Sequence, residues 1–199
     1  MNATAVRGRR RYCRLVAGLP AHRGTLLALV GATTPAKRQL VGALSDALSA
    51  RGVPALVIGN RQGPDPELEP AALRSLDARD LDDTIVVSRL AEVSAMRVSP
   101  IVITIRPVLD ELARYRAARG LRHEYTRHHI TRRIEDRVAD ASLDYDLILW
   151  SRSLSGNESE RAFDAALGTV LLDMGVRQRT LEAPLAPGVI ERVVASLCP

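Results

Sequence analysis

Lysine is almost absent from this chain. Of 199 residues, 28 are Lys or Arg, and every one except Lys37 is Arg. Aromatic residues are nearly as scarce, with one Trp, one Phe and four Tyr. Single-stranded nucleic acid stacks its bases on aromatic side chains, so a stacking platform is disfavoured here. The two cysteines, Cys13 and Cys198, lie near opposite ends without C-x-x-C spacing. Reduced thiols are expected of such a pair, rather than a disulfide framework. No apolar run approaches the ~18 residues that a bilayer span needs. No secretory segment or transit peptide is readable at the start either, and a cytoplasmic protein is expected.

What is present is an uneven charge. The formal net charge is +5. Arg7, Arg9, Arg10, Arg11 and Arg14 fall within fourteen residues that contain no acid, and setting them aside leaves 23 bases against 23 acids. The high isoelectric point thus describes a basic arm, residues 1–23, on a neutral body, residues 24–199. Nucleic-acid binding prefers a basic face on the fold itself, so it is disfavoured. The arm is suited to an acidic partner.

The body alternates short apolar runs with amphipathic stretches. Thr25–Val30 (TLLALV) is a continuous apolar run ending at Gly31, the pattern of a buried parallel strand. Residues 36–50 carry Leu40, Val41, Leu44, Ala47 and Leu48 along one helical face. Gly52 follows where a helix end favours a left-handed residue. Val53–Ile58 is a second apolar run, which completes a βαβ unit. Residues 59–70 read as a loop and 70–78 as a short helix. Further strands are expected over Thr84–Val87, Ile101–Ile105 and Leu147–Trp150. Helices are expected from Pro107 toward Arg119, after a capping box at Ser155–Glu158, and over residues 189–197. This alternation predicts a single three-layer α/β domain with a mainly parallel sheet.

The lone lysine stands in a telling place. After the first strand the chain reads Gly31-Ala32-Thr33-Thr34-Pro35-Ala36-Lys37-Arg38. A phosphate-binding loop reads G-x-x-x-x-G-K-S/T between a strand and a helix. Gly31 and Lys37 match, whereas Ala36 replaces the second Gly and Arg38 replaces the Mg²⁺-ligating hydroxyl. Backbone amides and the positive end of a helix there would face phosphate oxygens, with Lys37 on the terminal phosphates. The plain alternative is an ordinary strand-to-helix turn. The choice of Lys at this one position, in a chain that otherwise uses Arg, favours the phosphate cradle.

Arg106 to Arg137 holds nine Arg, five acids and three His. Mobile cations that close over phosphates are what phosphoryl transfer needs, so a helical Arg-rich lid over about residues 114–137 is one reading. A solvated hairpin with Arg/Glu pairing is the other. His123, His128 and His129 lack the carboxylate or Cys companions of a metal site.

The order of these parts resembles a P-loop kinase of the nucleoside-monophosphate-kinase superfamily. The segment from Thr25 to Ile58 is similar to that group and to adenylylsulfate kinases. Ile85-Val-Val-Ser-Arg89, Ser99-Pro100 with its following strand, Arg119-Gly120-Leu121, Tyr145-Asp146-Leu147 and Arg152-Ser-Leu-Ser155 more specifically resemble the cytidylate-kinase-like branch. The resemblance spans roughly residues 25–170. It implies a P-loop NTPase-like fold and ATP-dependent phosphate transfer to a nucleotide or other small acceptor. Gly31, Ala32, Thr33, Thr34, Ala36, Lys37 and Arg38 would hold donor phosphates, and Arg61 and Arg89 would face the acceptor. Lys37, Arg119, Arg132 and Arg133 would stabilise transferred charge. Mg²⁺ would act without its usual loop ligand. The alternatives are a nucleotide-binding pseudokinase or regulator, and an interaction module. A homo-oligomer is compatible with all three.

Overall fold

A computed structural model describes residues 24–32, 34–59, 70–124, 129–152, 157–182 and 188–197. The basic arm, Thr33, Arg61, both cysteines, His128 and Ser155 lie outside the described residues. Five strands form one sheet: β1 (Thr25–Val30), β2 (Ala55–Ile58), β3 (Ile101–Thr104), β4 (Leu147–Arg152) and β5 (Gln178–Glu182). Their spatial order is β2-β3-β1-β4-β5, and every pairing is parallel. The helices are α1 (Pro35–Ser49), α2 (Pro70–Ser75), α3 (Ala78–Val98), α4 (Val108–Leu121), α5 (His129–Ser142), α6 (Glu158–Asp173) and α7 (Val189–Leu197). The three-layer α/β arrangement follows from which faces these helices cover.

Side chains of successive strand residues point to opposite faces, so β1 feeds two cores. Leu26, Ala28 and Val30 meet buried residues of α3, α4, α5 and α6. Leu27 and Leu29 meet Leu40, Val41, Leu44 and Leu48 of α1 and Val193 and Val194 of α7. Both faces of β1 are covered, which is why it reads as a continuous apolar run rather than an alternating one. Asp146 aligns the start of β4 on β1: its backbone amide donates to the Leu26 carbonyl, and its carboxylate accepts the Leu26 N–H at 2.8 Å.

Three local expectations change. Thr84–Val87 is not a strand but lies inside the 21-residue helix α3. Its β-branched run has strand propensity, yet Leu81 and Ile85 are buried four residues apart, while Val86 and Val87 are exposed. Packing at helical spacing overrides local preference, and Asp77 caps the helix by accepting the Arg79 and Asp80 N–H groups. Helix α6 is capped by Asn157, whose side-chain oxygen accepts the Glu160 N–H at 2.9 Å; the expected capping box began two residues earlier. Strand β5 is unannounced in the sequence, because an edge strand reading Gln-Arg-Thr-Leu-Glu has almost no apolar pattern.

Phe163 of α6 is the largest apolar side chain fully enclosed in the core on the α3–α6 side. Phe163→Ala should lower unfolding free energy by about 3–5 kcal/mol. Urea denaturation would read this as a lower midpoint at unchanged slope.

Candidate functional site

The carboxyl ends of β1, β2 and β3 open on one side of the sheet, where open α/β folds carry their ligands. At the end of β1 the chain must turn sharply against β4. Gly31 has φ of +117°, and a Cβ there would stand 2.3 Å from the Ser151 carbonyl oxygen. Both facts demand glycine. Thr34 then caps α1, its Oγ1 accepting the Lys37 N–H at 3.1 Å, with Pro35 as the first helical residue.

Lys37 does not face solvent. It is wholly buried, and its Nζ donates to the Gly31 carbonyl at 2.5 Å and to Asp110 Oδ2 at 3.2 Å. Asp110, in the first turn of α4, is itself 2% exposed. Its Oδ1 accepts the Gly31 N–H at 3.1 Å. One carboxylate thus clamps both ends of the seven-residue motif. Burial pushes the Asp110 carboxyl up to about 6, against the opposing pull of Lys37 and the Gly31 amide.

Beside this clamp lies a cavity of about 550 Å³. Ile58, Leu76 and Val87 supply apolar wall, and Thr104, Arg106, Glu111 and Arg114 supply polar groups. Glu111 accepts from Arg106 at 3.2 Å and from Arg114 at 3.1 Å, and all three are largely buried. Adjacent residues of α4 therefore serve the two compartments: Asp110 holds the loop, and Glu111 organises the cavity.

A buried hydrogen-bond chain fixes the start of α4. The Tyr145 hydroxyl donates to Glu92 Oε1 at 2.8 Å and accepts the Val108 N–H at 3.2 Å. Burial raises the Glu92 carboxyl, which Tyr145, Arg89 and Thr104 partly offset. Burial, then the neighbouring Glu92 charge, raises the Tyr145 phenol well above its ordinary value.

Gly31, Thr34 and Lys37 are thus brought together with Asp110, and Ala32 and Ala36 lie in the same turn. Arg38 follows on α1, with its backbone N–H on the Thr34 carbonyl. Arg89 is on α3, not at a strand end, and pairs with Glu92 at 3.1 Å and with Asp144. Arg119 is buried, with its guanidinium 5.9 Å from the Tyr115 ring centre. Arg132 is exposed on α5. Arg133, also exposed, lies 3.6 Å from Asp82. Within the Arg-rich segment, residues 108–121 and 129–137 are helical, and the first of these helices is a packed layer: Val108, Leu109, Leu112 and Ala113 of α4 are fully buried. Arg114, Arg116, Arg122 and Arg137 are also held in ion pairs.

Asp110, Glu111 and Arg106 were missed as site residues by sequence reading, and Arg114 was expected only as the first arginine of the lid. The available signal was the Pro107 helix start, which places two adjacent acids in the first turn beside the strand ends.

Among its described residues, the loop does not offer Mg²⁺ its usual hydroxyl ligand. Arg38 stands at the hydroxyl position, the Thr34 oxygen caps a helix, and both Asp110 oxygens already accept hydrogen bonds. No group of three His, Cys, Asp or Glu suited to a metal occurs among the described residues. Among them, too, no helix is long and apolar enough to cross a membrane.

No protein-family model matches the chain, and no curated protein matches it by sequence. Solved structures do. A NadR protein in complex with NR aligns over 87% of this chain with TM-score 0.58 and 17% identity. The chain spans about half the length of that protein, covering 50% of it. Deoxyadenosine kinase from M. mycoides with bound dCTP aligns over 86% of this chain and 97% of its own, with TM-score 0.56 and 12% identity. The same enzyme with bound dATP aligns over 88% of this chain and 100% of its own, with TM-score 0.54 and 14% identity.

The Asp110 carboxyl binds its proton more tightly in the folded chain than at the ordinary 3.8. Its contribution to stability therefore rises as pH falls through about 6 and is complete below about 4. Relative to Asp110→Asn, the parent chain should gain stability between pH 7 and pH 5. Parallel urea titrations at the two pH values check this, and an unchanged difference would refute it. These structures share the three-layer arrangement with its all-parallel five-stranded sheet: the chain has a P-loop NTPase-like fold.

Proposed function

We propose that the protein is a kinase-like nucleotide-binding protein that transfers a phosphoryl group, from ATP, to a small acceptor. The observation that carries this reading is a juxtaposition. The glycine turn with Lys37 and the cavity of Arg106, Glu111 and Arg114 adjoin at the same end of the sheet, joined through neighbouring residues of α4. Phosphoryl transfer requires a donor site and an acceptor site side by side, with cations between them.

In this reading the α1 end and Lys37 draw the donor phosphates. The cavity takes the acceptor, with apolar walls against its flat or carbon-rich part and the Arg–Glu–Arg row against its polar edge. The fold of the NadR and deoxyadenosine kinase structures supports the reading without defining the acceptor. The assignment of Arg89, Arg119, Arg132 and Arg133 to substrate or lid roles rests on the sequence resemblance; the carboxylates beside Arg89 and the Tyr115 ring beside Arg119 favour structural pairing for those two. The cytidylate-kinase-like branch likewise rests on the short motifs alone.

A second reading is favoured by one observation. The loop's lysine and its first amide already face a protein carboxylate, and the hydroxyl position holds Arg38. This suits a protein that binds nucleotide and does not turn it over. Calorimetric titration with ATP and coupled assays of ADP release across a nucleoside and nucleotide panel separate the two. Binding with turnover supports the kinase, and binding without turnover supports the pseudokinase. In either case Lys37→Met should weaken ATP binding by at least about tenfold. The variant's melting curve serves as the folding control. Unchanged affinity in a folded variant would remove the phosphate-loop reading.

A further inference from the structure

We propose that the Asp110 carboxylate is an internal substitute for a ligand phosphate. It fills the anion position of the β1–α1 loop, and a phosphate reaches Lys37 only by displacing it. The inference rests on the reading of that loop as a phosphate site.

The donors are of the kind a phosphate would use. A phosphate-binding loop offers backbone amides and one ammonium. Asp110 takes one of each, the Gly31 N–H on Oδ1 and Lys37 Nζ on Oδ2. Two neighbouring amides are also satisfied within the chain: Thr34 N–H donates to the Ala32 carbonyl and Lys37 N–H to Thr34 Oγ1. Pro35 has no N–H to offer.

Burial makes the substitution matter. Lys37 and Asp110 are 0% and 2% exposed, so little water screens their attraction. A buried ammonium stripped of its counter-charge is strongly unfavourable. At neutral pH, where the Asp110 carboxyl is ionised, it can therefore leave only as another anion arrives. A polyphosphate supplies that charge, and a neutral ligand does not. Arg114 lies one helical turn along and already acts electrostatically on Asp110. It offers the displaced carboxylate a new partner. Arg114 also pairs with Glu111 in the cavity, so the exchange would disturb the acceptor compartment. Asp110 thus sets the loop's affinity for phosphate and couples donor arrival to the cavity.

The test is calorimetric titration of the parent chain, Asp110→Asn and Lys37→Met with inorganic tripolyphosphate and with ATP, each with and without Mg²⁺. Asp110→Asn keeps the side-chain shape and removes the competing charge. It should bind both probes at least about tenfold tighter than the parent without Mg²⁺. A smaller gain, or none, overturns the proposal. So does weaker binding in Mg²⁺, which would make Asp110 a metal-organising acid. If the parent and Asp110→Asn bind equally while Lys37→Met loses affinity, the phosphate loop stands and the substitution does not. If neither the parent nor Asp110→Asn binds either probe, both ideas fall.

A measurement on the parent chain covers the case in which Asp110→Asn does not fold. The ¹³C resonance of the Asp110 carboxyl should move along the tripolyphosphate binding curve as its partners change. Saturable binding without that movement overturns the proposal.

Discussion

A lysine ammonium taken wholly out of water must find hydrogen-bond acceptors and is held best against an opposite charge. Lys37 is met by the Gly31 carbonyl and by Asp110. That requirement ties the end of β1, the start of α1 and the first turn of α4 into one unit. The glycine at 31 is needed because the turn lies against the β4 backbone. The early start of α4, with only three residues between it and the end of β3, is needed because Asp110 must reach the loop. The cavity is a by-product of the same placement, since Glu111 follows Asp110 and carries Arg106 and Arg114 with it.

The arginines divide their labour around this unit. Those of α4 nearest the strand ends serve the site, through Arg114 and its shared Glu111. Those farther along bind helices to one another: Arg116 joins Glu135 of α5 and Asp173 of α6, and Arg137 joins Asp82 of α3. Guanidinium suits this second task, because its planar fork can meet carboxylates from two elements at once. Lys37 has a different task, fitting a compact ammonium into a closed space. The choice of side chain follows from the space available.

Much of the sheet was legible because strands buried on both faces advertise themselves. β1 reads as an unbroken apolar run, and its expected limits match the strand. α7 has a strong apolar stripe, and it too begins and ends where the periodicity placed it. Legibility fails where burial is partial. Thr84–Val87 mimics a strand by composition while packing through one helical face. β5 pairs only on one side and has nothing apolar to announce it beyond Leu181. At the site, Gly31 and Lys37 were readable from spacing within one loop. Asp110 was not, because its meaning lies in proximity across more than seventy residues, which no local pattern encodes.

Tyr145 shows what such distant contacts demand of the folding chain. Its hydroxyl joins Glu92 near the end of α3 to the amide that begins α4, yet Tyr145 itself belongs to the approach to β4. The phenol finds both partners only after β4 has docked beside β1. Until then the first turn of α4 lacks one of its anchors, and Asp110 lacks a fixed origin. Contacts between segments this far apart in sequence carry a loop-closure cost that contacts within one helix do not. The anchor on the first turn of α4, from which Asp110 reaches Lys37, is therefore complete only with β4 in the sheet. A nascent chain that has made β1, α1 and β3 already contains Gly31 and Lys37, but it does not yet hold them in a working arrangement.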